Sequence, residues 1–186
     1  MTIQDSTSAS QKGAILRAAR SGDAAPIAKL GAYVFSHTFA HSVEAHELQA
    51  FLDEAYTLEA ITKDLDDGDK DVIVAVDAGN ENEILGFAFL TRNSVEPAVE
   101  HVANRVELQR IYVDPKAHGM GVGSLLSREM DRMAREQGFA WIWLGVWEEN
   151  YKALRAYERW GYRIVGKHDF CVGPVVQTDH VMLKEL

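Results

Sequence analysis

The sequence predicts a mixed α/β fold, helices packed on a central sheet, and three observations predict it. Short β-branched segments alternate along the chain with amphipathic stretches at helical spacing. Two strand segments, 71–76 and 84–90, are separated by a turn around Ala78-Gly79-Asn80, which makes them antiparallel neighbours in a hairpin. A further strand, 105–113, runs through a short linker into the alternating glycines Gly119, Gly121 and Gly123, which open a helix. At 186 residues the chain is long enough to bury one full core without disulfide or metal staples. We therefore expect a flexible tail over residues 1–12 and one domain over 13–186.

The elements follow in order. Residues 14–19 read as the first strand. Asp23 stands where an N-cap belongs, before Ala24-Ala25-Pro26, with proline tolerated in a first helical turn. Leu30, Tyr33 and Val34 give that helix its apolar face, and a second helical region spans 43–65. After the hairpin, 93–104 has no period and reads as a loop. In the strand 105–113, Leu108, Ile111 and Val113 cannot share one face at a period of two, so an inserted residue, a β-bulge, is expected. The helix 119–136 places Val122, Leu125, Leu126, Met130 and Met133 on one face. Gly138 ends it, a strand covers 141–146, and Asn150 opens a helix carrying Ala153, Ala156, Tyr157 and Trp160 in a stripe. Gly161 stops that helix, and strands over 163–171 and 178–184 close the chain.

Composition narrows the function. A net charge of −9 argues against a nucleic-acid partner, which needs clustered Lys and Arg. Much of the acid falls in 44–71, and its field either raises the local concentration of a cationic substrate or serves solubility. Cys171 is the only cysteine, so an intrachain disulfide is excluded; we expect a small buried hydrophobe there. No apolar run reaches the roughly 18 residues of a membrane span, and the first ten residues lack a signal-peptide hydrophobic region, so a cytoplasmic protein without a membrane partner is expected. His37 and His41 lie four apart with His46 nearby, but no carboxylate completes a recognisable ligand spacing, and no metal is expected. Phe39, Phe51 and Tyr56 pack in the core or line a channel for a methylene chain.

Alternating glycines at a helix start bring several backbone N–H groups to one anion and add the positive end of the helix dipole, so the ligand implied is a phosphate. The dinucleotide fingerprint would need a third glycine at 124, which is Ser124, and an acidic residue at the end of the 141–146 strand, which has none. A P-loop would need a lysine after Gly123. What remains, His118-x-x-Gly121-x-Gly123, resembles the pyrophosphate loop Gln/Arg-x-x-Gly-x-Gly/Ala of the GCN5-related N-acetyltransferase (GNAT) superfamily, with His118 at the first position. A second segment, Asn150, Ala153, Tyr157 and Gly161 with Tyr162 in place of phenylalanine, is similar to that family's Asn-x-x-Ala-x-x-x-Tyr-x-x-x-Gly-Phe. Residues 35–40, 107–113 and 177–179 resemble the PaiA-type bacterial spermidine/spermine N-acetyltransferases.

The resemblance implies a central, mostly antiparallel sheet opened into a V that admits acetyl-coenzyme A. It implies cofactor contacts from the loop residues His118, Gly119, Met120, Gly121, Val122, Gly123 and Ser124, and from the strand residues Ile111, Tyr112 and Val113. Asn150 would bond the pantetheine amides, cap its helix, or do both. Tyr157 would protonate the departing sulfur, its alternative being a core aromatic. Glu107 would be the general base, its alternative a strand residue paired with an arginine. The acceptor implied is a small primary amine of cationic character, a polyamine first. A protein N-terminus or another small amine comes second, and a non-catalytic acetyl-coenzyme A module third. A homodimer is left open.

Overall fold

The computed structural model describes residues 13–186; the tail expected over 1–12 lies outside the described residues. In chain order the elements are β1 (Ala14–Ala18), α1 (Ala24–Phe39), α2 (Ala45–Ala55), α3 (Leu58–Asp66), β2 (Lys70–Asp77), β3 (Asn80–Thr91), β4 (Arg105–Val113), α4 (Val122–Glu136), β5 (Trp141–Trp147), α5 (Tyr151–Arg159), β6 (Arg163–Val172) and β7 (Val175–Glu185). The strands form one sheet in the order β1-β2-β3-β4-β5-β7-β6, antiparallel at every seam except β4–β5. The mixed, mostly antiparallel fold is the one expected.

Two apolar layers cover the sheet. One joins α4, with Val122, Leu126, Met130 and Ala134 fully buried, to Ala75, Ala88, Leu90, Ile142 and Leu144. The other joins α1, through Ile27, Leu30, Phe35 and Phe39, to Val74, Val76, Phe87 and Phe89. Fully burying each of the larger of these side chains contributes roughly 1.5–3 kcal/mol, so these layers hold the strands that carry the site. Among the described residues no helix is long and apolar enough to cross a membrane.

Four local expectations need correction. Asp23 does not cap α1: its carboxylate accepts the Arg20 N–H at 2.7 Å and the Arg17 guanidinium at 2.7 and 2.9 Å, closing a short 3₁₀ turn instead. Tyr33 is exposed, because Leu30, Gly31 and Phe35 turn the apolar face of α1 elsewhere. The helical region over 43–65 breaks at Tyr56, whose ring is drawn into the core while Thr57 caps α3 by accepting the Ala60 N–H at 3.0 Å. Gly31 accommodates that ring: a Cβ there would lie 2.5 Å from Tyr56 Cδ1. Cys171 is exposed rather than buried, in the β6–β7 hairpin.

The expected bulge is present. Phe89 pairs with Arg110 and Leu90 with Leu108, which leaves Gln109 as the extra residue on β4.

Candidate active site

The parallel seam between β4 and β5 holds only at Arg105–Trp141, Val106–Ile142 and Glu107–Trp143. Beyond it β4 stays with β3 and β5 stays with β7, so the sheet splits into a V. Two cavities open there. One, of about 480 Å³, is a groove between the glycine loop and α5. The other, of about 300 Å³, runs between β4, β5, α1 and β7. Val34, Thr38, Ile111, Tyr112, Asn150, Ala153 and Tyr157 line both, so the cavities meet at those residues.

The groove is built for an anion. Gly119 and Gly121 have φ of +79° and +80°, a left-handed backbone that favours glycine, and for that reason α4 begins at Val122 rather than at Gly119. The first helical hydrogen bond runs from Leu125 N–H to the Gly121 carbonyl at 2.9 Å, which leaves the N–H groups of Val122, Gly123 and Ser124 as the orphan donors of the helix start. Met120 departs from expectation: its side chain is exposed, it does not line the groove, and its N–H bonds the Ala117 carbonyl at 3.2 Å. The His118 N–H is also taken, by Pro115 O at 3.2 Å, while the His118 side chain lines the groove 2.8 Å from Lys152 Nζ. Trp160 closes the wall behind Gly123 and donates from Nε1 to Ser124 Oγ at 3.3 Å. The donors, the helix dipole and the nearby Lys152 and Arg159 fit a pyrophosphate.

Ile111, Tyr112 and Val113 line the groove from the free side of the V, and Asn150 does so while its side chain caps α5 by accepting the Ala153 N–H at 3.2 Å. Tyr157 projects from α5 to the junction, with its ring edge-on to Trp160 and Tyr162 at 5.6 and 5.8 Å. Burial pushes its phenol well above the ordinary tyrosine value, with a smaller contribution from Tyr112. It therefore stays protonated at neutral pH, as a proton donor must.

The smaller cavity is walled by Phe35, Phe39, Phe51, Tyr56, Trp147 and Phe170, with Gln109, Arg110 and Asp179 as its polar groups. Tyr56 and Tyr112 share a 2.8 Å hydrogen bond, and Arg110 lies over the Tyr56 and Phe89 rings at 5.2 and 5.1 Å. Arg110 also donates to Asp64 at 2.9 Å, and Lys70 pairs with the same carboxylate. Asp179 is the carboxylate among the residues that line this cavity.

Glu107 lies at the closed end of the V, on the seam itself. Burial pushes its carboxyl up, opposed by a hydrogen bond with Ser94, but it lines neither cavity. No cluster of three potential metal ligands occurs among the described residues; His37 packs against Tyr33 and His41 against Trp147. Sequence reasoning passed over Lys152 and Arg159, which line the groove from α5 beside Ala156, and it placed Trp160 only in the apolar stripe. Asp179 lies in the segment 177–179 that resembles the PaiA-type enzymes, but no role was assigned to it from the sequence.

Residues 35–162 match the family model described as the Acetyltransferase (GNAT) family. An uncharacterized N-acetyltransferase of Mycobacterium tuberculosis is 27% identical over 164 residues, covering 88% of this chain and 98% of that protein. The spermine/spermidine N(1)-acetyltransferase of Bacillus subtilis is 30% identical over 107 residues, 57% of this chain and 66% of that protein. Among solved structures, the PaiA N-acetyltransferase of Thermoplasma acidophilum in complex with coenzyme A shares the fold with a TM-score of 0.74 at 18% identity, over 94% of this chain and 99% of that one.

Proposed function

The chain belongs to the GNAT family of acetyltransferases, whose acetyl donor is acetyl-coenzyme A, and on that premise we propose that its acceptor is the primary amine of a polyamine such as spermidine or spermine. The observation that carries this reading is the junction at Tyr157: an anion-binding groove and an aromatic-walled cavity ending in a carboxylate open onto the same phenol. The likeness to the Bacillus spermine/spermidine enzyme supports the same acceptor class.

In this reading Gly119, Gly121, Val122, Gly123 and Ser124 hold the pyrophosphate through backbone N–H groups, with Lys152 adding charge. Ile111, Tyr112, Val113 and Asn150 bond the pantetheine arm along the split between β4 and β5. A thioester so held supplies an activated acetyl carbon. Tyr157, kept neutral by burial, gives its proton to the departing sulfur. The aromatic wall strips water from the methylene chain and aims one terminal amine at the junction.

A screen of amines for thiol release from acetyl-coenzyme A tests the acceptor. Spermidine and spermine should give the highest kcat/KM. If a small monoamine, an aminoglycoside or a peptide N-terminus releases thiol while polyamines do not, the polyamine assignment falls and acetyl transfer stands. If no amine releases thiol from protein that binds coenzyme A, the chain is a binding module.

A further inference from the structure

Asp179 is a partly buried carboxylate to which no hydrogen bond is made among the described residues. It sits on β7 opposite Trp147 of β5 and His168 of β6, and it lines the acceptor cavity together with Tyr157. Its Oδ1 is shielded from solvent and unpartnered among the described residues, and its Oδ2 stands 3.7 Å from His168 Nε2, beyond hydrogen-bond reach. An unsatisfied buried acceptor of this kind costs about 1–3 kcal/mol. It is the group that an incoming ammonium would satisfy.

His168 is held from its other side. Its Nδ1 lies 2.8 Å from Oε2 of Glu96, a buried carboxylate that is itself fixed by accepting the Ala98 N–H at 2.9 Å. With Glu96 holding the Nδ1 proton, Nε2 presents its lone pair toward Asp179. The imidazole is also the member of the row that reaches water, its side chain being 31% exposed.

We propose that Asp179 is the general base of the transfer and that His168, held by Glu96, carries the proton from it to solvent. This rests on the acetyl-transfer reading above. The acceptor enters as an ammonium, and its nitrogen must lose a proton before its lone pair can attack. Asp179 takes that proton and becomes a neutral acid, then passes it to His168 Nε2. Glu96 balances the imidazolium until water removes the proton. The freed amine forms the N–C bond as the C–S bond breaks, the departing sulfur takes the Tyr157 proton, and the second proton of the new amide nitrogen returns to the Tyr157 phenolate, so that one proton in all reaches solvent and charge and atoms balance. Glu107 lines neither cavity.

The titratable and charged groups nearest Asp179 are His168 from β6 and Tyr112 from β4, and Arg110, Tyr56 and Tyr157 line the same cavity. Burial raises its carboxyl to about 6, opposed by His168. It is thus ionised at neutral pH and only mildly basic, as a proton acceptor in transit should be.

The test is the pH profile of kcat/KM for an accepted amine. In the wild type it should rise through an apparent value near 6 and then stay flat until the amine itself ionises, near 10 for an alkyl ammonium. Asp179→Asn should abolish the flat region, the rate climbing about tenfold per pH unit as free amine accumulates, so that the deficit is on the order of 10² near pH 7 and shrinks toward pH 10. Coenzyme A affinity, measured by calorimetry, should be unchanged, since Asp179 is outside the groove. A second measurement needs no acceptor: the carbon resonance of the Asp179 carboxyl should titrate to higher pH in His168→Gln. A variant profile that keeps the flat region, or an Asp179 titration unmoved by His168→Gln, overturns the proposal. Failure of spermidine to release thiol with the wild type indicts the acceptor instead, and the profile is then read with whichever amine is used.

Discussion

The ammonium of Lys152, in the first turn of α5, lies 2.8 Å from Nδ1 of His118 at the mouth of the glycine loop. An ammonium can only donate, so Nδ1 accepts and the imidazole proton sits on Nε2. Where the family pattern has a Gln or Arg, this chain has a histidine that orients a neighbouring lysine.

That arrangement sets the first prediction. Gly121→Asp should lower coenzyme A affinity by on the order of 10² or more, because it places a Cβ at positive φ and a negative charge beside the pyrophosphate. Gly121→Ala separates the two effects and should lose only about 1–2 kcal/mol of backbone strain, since no atom lies within 4 Å of its Cβ. His118→Ala should weaken binding less than about tenfold, the value of one hydrogen bond. Calorimetry with coenzyme A reads all three, and normal affinity in Gly121→Asp would remove the loop from the binding site.

Tyr157→Phe should lower kcat by roughly 10²–10⁴ while leaving coenzyme A affinity within a few-fold, because only the transition state gains from a proton on sulfur. Since burial holds the Tyr157 phenol above the ordinary tyrosine range, no alkaline loss of kcat from this group should appear below about pH 10. Wild-type turnover in the variant would reduce Tyr157 to a packed aromatic.

The parts of this site that are legible in the sequence are those fixed by local backbone rules. The glycine loop, the Asn150 cap and the bulged strand each follow from a period or a required φ, and the structure has all three, with Gln109 as the inserted residue. What escaped depends on neighbours distant in sequence. The break at Tyr56 is decided by its hydrogen bond with Tyr112, 56 residues away. Asp179 approaches His168, and His168 meets Glu96, only because β6 and β7 form a hairpin packed beside the loop before β4. Met120 illustrates the converse: it lies within the motif, yet its amide is taken by the Ala117 carbonyl.

Asp179 also carries a stability prediction. Its folded value of about 6 stands above its ordinary 3.8, so between those limits the folded state binds more protons than the unfolded one and stability falls as pH rises. The contribution is fully present below about 3.8 and lost above about 6. At pH 7–8 Asp179→Asn should therefore raise stability, by roughly 1–2 kcal/mol after allowance for partial exposure, and the gain should vanish near pH 4. Denaturant titrations of both proteins at the two pH values check this, and a destabilised variant at pH 8 would contradict it. Together with reduced turnover, a gain would mark Asp179 as a group kept for function at a cost in stability.

The acidic stretch over 44–71 divides in two once its partners are known. Asp64 is bound to Arg110 and Lys70, and Asp71 to Arg92 at 2.5 Å, so neither has charge to spare for a ligand. Asp66 and Asp67 are exposed, with only a 3.9 Å approach of Lys70 to Asp67. Asp64→Asn should therefore act on the fold, losing about 1–3 kcal/mol by leaving Arg110 and Lys70 short of an acceptor. Asp66→Asn with Asp67→Asn should leave stability nearly unchanged and raise KM for spermidine more than for a monoamine. The same field makes kcat/KM for spermidine fall as ionic strength rises from 0.01 to 0.3 M, because the screening length shrinks from about 30 Å to under 10 Å over that range. Steering scales with ligand charge, so a monoamine should respond much less. Equal salt dependence for the two amines would mean that the acid serves solubility alone, and the aromatic wall and Asp179 would then have to select the polyamine unaided.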